Sequence, residues 1–265
     1  MTIAVIRREA RAIAAALTFM TRLPLGRLAA HDAADLPLSA TYFPLAGMAV
    51  ALVGAFVFAL STRIWPSAIA VLLSLAAMIS ATGAFHEDAL ADALDGFGGG
   101  GTRDRILEIM KDSRVGSYAL VGVVLVLALK FTALLEISRA GTGTIARTLI
   151  AGHVLGRWSS LPLIARLPYV RTSGEGSRAS AGRPFNGGIT PMRLAAGTAI
   201  SALSVVAALG TSGPAIVALA ATLAVTGLAA RYFSRRIGGI TGDALGAANQ
   251  VVEMTVYLAL AARTL

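Results

Sequence analysis

The sequence contains no cysteine, which excludes disulfides, thiolate metal sites and a cysteine nucleophile. Charged residues are also scarce, at 14% of 265 residues, whereas hydrophobic residues make up 56% and the mean hydropathy is +0.73. These values lie outside the range of soluble proteins and indicate a polytopic membrane protein. The net charge is +9, but most arginines stand in short loops between apolar segments. We therefore interpret the charge as a topology signal and expect no nucleic-acid partner.

Seven apolar segments are long enough to cross a hydrocarbon core of about 30 Å as helices. We predict an all-α fold, a polytopic integral membrane helical bundle, with one domain over residues 1–265 and the transmembrane part over 43–262. The predicted crossings are approximately residues 43–60, 66–85, 116–137, 144–165, 192–210, 213–230 and 244–262. The fourth and the seventh contain polar side chains, which is typical of helices that face a protein interior.

Residues 1–40 are predicted to form an amphipathic interfacial segment before the bundle. Read as a helix, residues 3–22 place Arg7 and Arg11 on one face and Ile6 and Leu17 on the opposite face. We expect this helix to lie in the membrane surface, because its apolar face can enter the lipid while the arginines stay with the headgroups.

The basic residues also predict the orientation in the membrane. With the N-terminus in the cytoplasm, sixteen basic residues fall in loops on that side, and only Arg63, Arg139 and Arg263 fall clearly outside. The positive-inside rule then places the N-terminus inside and the C-terminus outside. All the polar motifs described below open on the cytoplasmic side in this arrangement, which favours a single active site there.

The stretch GAFHEDALADALDGFGGGG, residues 83–101, carries most of the candidate chemistry. At helical spacing Asp88, Asp92 and Asp95 share one face, and three like charges on one face call for a counter-charge. A hard divalent cation such as Mg²⁺ suits ligands that are all oxygen, so we predict that these aspartates bind metal. The alternative is a solvated cap of a loop. The glycines after Asp95 are expected to form a mobile loop whose N–H groups can approach a phosphate.

His86 is a candidate catalytic base or phosphate donor, although a histidine at a helix end is as often a structural hydrogen bonder. The next segment, ILEIMKDSRVGS, places Lys111, Asp112 and Arg114 together before the third crossing. We predict a catalytic role for these three residues. Lys111 and Arg114 would supply the cations that phosphoryl transfer needs on the departing phosphate. The alternative is that the cations only fix the orientation of the chain in the membrane.

Arg157 lies inside an apolar segment and needs a partner, either a carboxylate from another helix or an anionic substrate. We predict that Arg157, Arg166 and Arg171 bind substrate. A plain linker is the alternative for the loop that begins near Arg171.

A second polar stripe lies in GGITGDALGAANQVVE, where Asp243, Asn249, Gln250 and Glu253 share one side of a helix. We predict that Asp243 completes the metal site and that Asn249 binds substrate. Glu253 is expected to support the metal ligands or to pack helices together. A polar helix-packing seam is the alternative, but it explains buried acids poorly, because they are costly without a cation.

Three motifs in this order, HEDALADALDGFGGG, IMKDSRVGSYA and GGITGDALGAANQVVE, closely resemble the cobalamin synthase family, the adenosylcobinamide-GDP ribazoletransferases. The segments LTFMTRLPLG and TYFPLAGMAVALVGA are also similar to that family, so the resemblance covers about residues 17–257. The chain departs from the pattern at Ala89, where the family usually has glycine.

This resemblance implies a Mg²⁺-dependent transferase of the cell inner membrane. The expected substrates are adenosylcobinamide-GDP and α-ribazole or its 5′-phosphate, and the products are GMP and adenosylcobalamin or its 5′-phosphate. The sequence leaves open whether the protein forms homo-oligomers. Two other classes also stay open at this point. A CDP-alcohol phosphotransferase would carry an Asp-Gly-x2-Ala-Arg pattern, which is absent after Asp95, and a cation transporter would hold its acids near the bilayer midplane.

Overall fold

The computed structural model describes residues 3–23, 36–170 and 189–262. Those residues form helices joined by short turns, and no β-strand occurs among them beyond one isolated bridge between Tyr169 and Ile240. The all-α prediction is confirmed. The helices are α1 Ile3–Met20, α2 Leu36–Ser39, a 3-10 turn Ala40–Tyr42, α3 Phe43–Ser61, α4 Ser67–Thr82, α5 Phe85–Gly99, α6 Arg103–Ile109, α7 Ser117–Ser138, α8 Thr142–Trp158, α9 Ser160–Arg166, α10 Pro191–Leu209, α11 Gly213–Ile237 and α12 Gly242–Ala261.

Five of the described helices are long and apolar enough to cross a membrane, or six segments if the bent pair α4–α5 counts as one span. The five are residues 40–61, which include α3, and the helices α7, α10, α11 and α12. The polytopic character is thus confirmed, but the number of spans is lower than the seven expected. The differences lie in the second and fourth predicted crossings. In each of them the helix that the structure contains ends before the apolar stretch does.

The second predicted crossing, residues 66–85, ends early because α4 stops at Thr82. Gly83 and Ala84 both adopt left-handed backbone conformations, with φ of 67° and 59°. Their N–H groups close α4 by donating to Ser80 and Ile79, respectively, and the chain then turns by 86° into α5. The left-handed region is rarely occupied by a residue with a Cβ atom, so Ala84 marks a strained bend. The acidic helix α5 is therefore not a continuation of α4.

The fourth predicted crossing, residues 144–165, is divided at Ser159 into α8 and α9. Pro162 lies in the first turns of α9 and has no N–H to donate to the carbonyl of Trp158, so a continuous helix would lose that hydrogen bond. The 17 residues of α8 rise only about 26 Å, which is shorter than a typical hydrocarbon core.

The outer faces of the long helices are apolar. Large hydrophobic side chains stay exposed along α3, α4, α7, α10, α11 and α12, among them Leu52, Phe56, Leu72, Val121, Leu125, Leu203, Leu223 and Leu258. A soluble protein rarely exposes so much apolar surface, whereas a helical bundle in lipid does so on all sides. The surface composition therefore agrees with a membrane environment.

α12 lies at the centre of the bundle and packs against α5, α7, α8 and α11. Its buried side includes both small apolar residues and the polar residues Asn249, Gln250 and Glu253. Another large interface joins α3 to α8, where Gly47 lies against the backbone carbonyl of His153. Most of the chemistry described below projects from α12 or from helices that touch it.

α1 is only partly the surface helix that the sequence predicts. Its first turns are exposed, but its second half is buried at Ala12, Ala16 and Met20 and packs on the start of α3. The buried face is thus centred on alanines rather than on the predicted stripe through Ile6, because small side chains allow close packing against protein. Glu9 anchors the helix through two hydrogen bonds from Arg193, at 2.6 and 2.7 Å, which lower the pKa of its carboxyl.

We predict that Gly47→Ala lowers the thermal stability of the protein in detergent, because an added Cβ would lie 2.4 Å from the backbone oxygen of His153 and force α3 and α8 apart. Gly227→Ala is the matched control, since nothing lies within 4 Å of its added Cβ in the middle of α11. Alanine in a helix interior is favoured over glycine by about 0.5–1 kcal/mol, so the control should keep or raise the melting temperature. Equal melting temperatures for the two variants would contradict this account of the α3–α8 contact.

Candidate active site

The two acidic motifs meet where α5 crosses α12. A Cβ added to Gly246 would lie 2.4 Å from the Cβ of Ala89, so the two helices pack closely where Gly246 has no side chain. Ala89 follows Asp88 directly, and Gly246 lies one turn after Asp243. The close crossing therefore brings these two aspartates, which are far apart in sequence, to the same end of neighbouring helices.

The four predicted metal ligands differ in their surroundings. Asp88 is exposed, while Asp92 and Asp243 are half-buried. Asp88 and Asp243 also lie in the first turns of their helices, where the helix dipole favours a negative charge. In the described part of the chain, no three His, Cys, Asp or Glu side chains are placed so that they could together hold a metal ion.

Asp95 has a structural role that the sequence does not predict. Its two carboxylate oxygens accept hydrogen bonds from the backbone N–H groups of Gly116, at 2.6 Å, and Ala119, at 2.9 Å. These N–H groups belong to the start of α7, which has no side-chain cap of its own, so Asp95 satisfies two donors that would otherwise lack a helical partner. Asp95 thereby fixes α7 and the loop before it against the end of α5.

Most of the glycines after Asp95 do not form the loop that the sequence predicts, since α5 continues to Gly99 and leaves only Gly100 and Gly101 in the connection to α6. An added Cβ at Gly96 would lie 2.5 Å from the side chain of Met110, and one at Gly100 would lie 2.8 Å from the Cα of Ile106. The glycines are needed because α6 packs directly on the backbone of α5. The prediction that the loop begins at Gly96 is therefore wrong, and the reason is this close packing.

Lys111, Asp112 and Arg114 lie in the connection between α6 and α7, beside the end of α5. Arg114 donates to both carboxylate oxygens of Asp112, at 2.6 and 3.0 Å, and lowers the pKa of that carboxyl to about 2. A carboxylate with so low a pKa is a poor proton acceptor near neutral pH. Arg114 and Lys111 are exposed, and they are the cations that lie in this connection.

Two arginines tie further segments to the same end of the bundle. Arg236 at the end of α11 donates to the carbonyl oxygens of Phe97, at 3.1 Å, and Gly100, at 2.9 Å. Arg103 at the start of α6 donates to the carbonyl of Ile237, at 2.9 Å, so the two contacts close the ends of α5 and α11 reciprocally. The acidic helix, the cationic connection and the start of α12 therefore form one surface.

A buried ion cluster lies deeper in the bundle and is centred on Glu253 of α12. One carboxylate oxygen accepts a hydrogen bond from Lys130 of α7, at 2.9 Å, and the other from Arg157 of α8, at 2.5 Å. His153 lies 3.2 Å from the second oxygen, and Tyr257 donates to the first at 3.3 Å. All of these side chains are buried. The carboxylate partner that the sequence offered as one alternative for Arg157 is thus Glu253.

The chain matches the family model described as CobS, cobalamin-5-phosphate synthase, over residues 12–261. It belongs to this family. It is 39% identical over 255 residues to a protein of Shewanella amazonensis and 40% identical over 253 residues to one of Leptothrix cholodnii, both named adenosylcobinamide-GDP ribazoletransferase. The first alignment covers 96% of both chains and the second covers 94% of both. No solved structure matches. As a member of the synthase family, the protein is an enzyme of cobalamin biosynthesis.

The other predicted site residues of this synthase-family chain differ in how exposed they are. Arg166 is exposed at the end of α9, and Arg171 lies outside the described residues. Asn249 is buried and donates to Ser160 at 2.8 Å and to the carbonyl of Leu245 at 2.8 Å. These hydrogen bonds agree with the alternative in which the polar stripe of α12 packs helices together. A substrate contact for Asn249 stays a prediction, and it would have to use the buried side-chain oxygen, which has no hydrogen-bond partner.

His86 is buried as well, with its Nδ1 atom 3.5 Å from the Nη2 atom of Arg157 and its Nε2 atom unpaired. In this position it has no direct access to solvent, so its predicted role as a base requires substrate to enter the bundle. Sequence reasoning missed Lys130. A single lysine inside the apolar stretch 116–137 was the available signal, because an ionisable residue in a membrane helix needs a partner of opposite charge.

We predict that Gly246→Ala lowers activity strongly, because the added Cβ would collide with Ala89 and separate the two aspartate-bearing helices. A displacement of about 1 Å at a reacting centre can cost on the order of 10²-fold in rate. Gly242→Ala is the matched control at the start of the same helix, where nothing lies within 4 Å of the added Cβ. Rates per folded protein should fall for the first variant only. Equal rates would exclude the close crossing as a requirement for catalysis.

Proposed function

We propose that this enzyme joins α-ribazole, or its 5′-phosphate, to adenosylcobinamide-GDP and releases GMP. A ribazole hydroxyl would attack the phosphorus of the pyrophosphate nearest the corrinoid. The hydroxyl releases its proton to solvent as a new P–O bond forms there, the bond to the bridging oxygen breaks, and the bridging oxygen leaves with GMP. The product is adenosylcobalamin or its 5′-phosphate. Family membership and the names of the relatives support this reaction.

The observation that carries the proposal is the close crossing at Ala89 and Gly246. It brings together the two aspartate motifs through which the chain resembles ribazole transferases, and it places them beside the cationic connection held by Asp95. Acids for a metal and cations for a phosphate on one surface are what transfer at a pyrophosphate requires. Neither a CDP-alcohol transferase nor a cation transporter is favoured by any contact of the described residues.

We propose that Asp88, Asp92 and Asp243 hold Mg²⁺ after their side chains move together, because no three acidic side chains of the described residues are yet placed to hold an ion. The donors are all carboxylate oxygens, which this ion prefers, and they extend from two helices that touch. Mg²⁺, when bound, supplies charge neutralisation at the phosphate oxygens. Asp95 fits the ion less well, because coordination would compete with its two hydrogen bonds to the start of α7. The chain's own contribution is to hold the aspartates and the substrate together.

Lys111 and Arg114 would bind the pyrophosphate and stabilise the GMP leaving group. Arg114 is paired with Asp112 in an exposed position, so it can exchange this carboxylate for a phosphate at little cost. Asp112 would then hold Arg114 in place between turnovers rather than act as a base. Arg166 and Arg171 are also proposed to bind substrate.

The experiment that tests the reaction uses the purified protein in detergent or liposomes with adenosylcobinamide-GDP, α-ribazole and Mg²⁺. We predict GMP release that requires all three. Asp92→Asn should abolish turnover while the amount of folded protein stays the same, because it removes a charged metal ligand. CDP-diacylglycerol with an alcohol acceptor is the matched control reaction. Release of CMP in the CDP-diacylglycerol reaction without release of GMP in the adenosylcobinamide-GDP reaction would overturn the proposed function. Full activity of Asp92→Asn across a Mg²⁺ titration would overturn the proposed metal site.

We propose further that the protein is a multi-pass protein of the cell inner membrane with its N-terminus and active-site surface in the cytoplasm. Reporter fusions after Gly101 and after Ser234 should report the cytoplasm, and fusions after Thr62 and after Leu265 should report the outside. The sixteen basic residues on the predicted inner side are the reason. The contacts of Arg103 and Arg236 join the segments near Gly101 and Ser234, so opposite locations for these two fusions would contradict the proposed surface.

A further inference from the structure

Arg22 is an exposed arginine that lies next to the start of the acidic helix α5. Its guanidinium lies on the bend between α4 and α5, because a Cβ added to Gly83 would lie 2.7 Å from Cζ and 2.9 Å from Nη2 of Arg22. The first aspartate of α5 follows within a short distance along the chain, since the N–H of Asp88 donates to the carbonyl of Ala84 at 2.8 Å. The structure therefore places a cation near the acidic motif that none of the sequence motifs assigned to the site.

The backbone around Arg22 is held more firmly than a membrane anchor requires. The N–H of Arg22 donates to the carbonyl of Ala81 at 2.8 Å, which ties the chain after α1 to the end of α4. The hydroxyl of the buried Thr21 donates to the carbonyl of Leu17 at 2.6 Å and accepts a hydrogen bond from the N–H of Leu23 at 3.3 Å. An arginine that only sets the orientation of the chain needs no fixed backbone, since its charge acts from any nearby position in the loop.

Gly83 leaves the space that the guanidinium occupies. Its φ of 67° is left-handed, but the next residue, Ala84, adopts the same region with a φ of 59° and carries a Cβ atom. The backbone conformation alone therefore does not demand glycine at this bend. The contact with Arg22 does, because a Cβ at position 83 would displace the guanidinium.

The guanidinium of Arg22 is available to an anion. Among the residues that the structure describes, no ion pair joins it to a carboxylate. Glu87, at the start of α5, instead accepts a hydrogen bond from Gln250 at 2.9 Å. A guanidinium presents its N–H donors in a planar fork that matches the oxygens of a phosphate. An arginine with a fixed backbone and an unoccupied fork is therefore suited to bind a phosphate of the substrate.

The position of Arg22 indicates which phosphate it can bind. Lys111 and Arg114, which are proposed to bind the pyrophosphate, lie in the connection that Asp95 holds at the end of α5, whereas Arg22 lies at its start. The 15 residues of α5 separate these two ends by about 20 Å at about 1.5 Å per residue. The two phosphorus atoms of a pyrophosphate share one oxygen and span only a small fraction of that distance. A cation at the start of α5 therefore calls for a second phosphate.

We propose that Arg22 is a substrate-binding residue that holds the 5′-phosphate of α-ribazole 5′-phosphate. This inference rests on the proposed function and decides between the two forms of the acceptor that the proposed function leaves open. The 5′-phosphate stays in the product and takes no part in the bonds that form and break. Arg22 should therefore act on the affinity for the acceptor, measured by KM, rather than on kcat.

The test measures GMP release by the purified protein in detergent with α-ribazole 5′-phosphate, α-ribazole and adenosylcobinamide-GDP as the varied substrates. For Arg22→Gln, KM for α-ribazole 5′-phosphate should rise about 10- to 100-fold, which is the usual effect of losing hydrogen bonds between charged groups. Its kcat and its KM for the other two substrates should stay at the parent's values. Arg7→Gln is the matched control, because it removes the same charge from an exposed position of α1 and should change no KM.

A second variant, Arg22→Lys, separates phosphate binding from membrane orientation, because it keeps the charge and loses the planar fork. Its KM for α-ribazole 5′-phosphate should rise while the amount of folded protein stays the same. A parent-like KM in Arg22→Lys and Arg22→Gln, or an equal rise of KM for α-ribazole, would overturn the inference. A rise of KM for adenosylcobinamide-GDP instead would assign Arg22 to the pyrophosphate and would also overturn it.

The parent protein distinguishes a failure of this inference from a failure of the proposed reaction. Release of GMP with α-ribazole but not with α-ribazole 5′-phosphate would overturn the role of Arg22 and leave the reaction standing. No release of GMP with either acceptor would overturn the reaction. Equilibrium binding of α-ribazole 5′-phosphate to the parent and to Arg22→Gln would then decide the role of Arg22, and equal affinities would overturn it.

Discussion

A single buried carboxylate connects three helices at the centre of this bundle. Glu253 of α12 binds Lys130 of α7 and Arg157 of α8, so three helices meet at one negative charge. In lipid there is little hydrophobic driving force between helices, and specific polar contacts and close packing must decide how they are arranged. Removal of one partner from such a buried pair typically costs about 3–5 kcal/mol, which makes the arrangement of these helices strongly dependent on the cluster.

Small residues determine the rest of the packing around this cluster. Gly47 lets α3 lie against the backbone of α8, Gly246 lets α12 lie against Ala89 of α5, and Gly96 lets α6 lie on α5. The crossing at Ala89 also explains why the chain tolerates alanine where the family usually has glycine. The residue it faces, Gly246, has no side chain, so one methyl group still fits between the helices.

The sequence predicted much of the fold and a part of the candidate site. The apolar stretches predicted the long helices α3, α7, α10, α11 and α12 within a few residues, except that α11 extends further. The unpaired Arg157 predicted a buried partner, and the shared stripe on α12 contained it. Periodicity did not reveal the role of Asp95 as a cap for α7, because that contact joins residues more than twenty positions apart.

The sequence by itself determined that this is an all-α membrane protein of the cobalamin synthase family, because apolar length and the order of short motifs are local properties. Only the tertiary structure decided how the motifs meet. The bend at Gly83 and Ala84, the packing of α6 on the glycines of α5, and the choice of Glu253 as the partner of both Lys130 and Arg157 depend on distances between helices. Such distances follow from the packing of side chains from many segments, which no single stretch of sequence encodes.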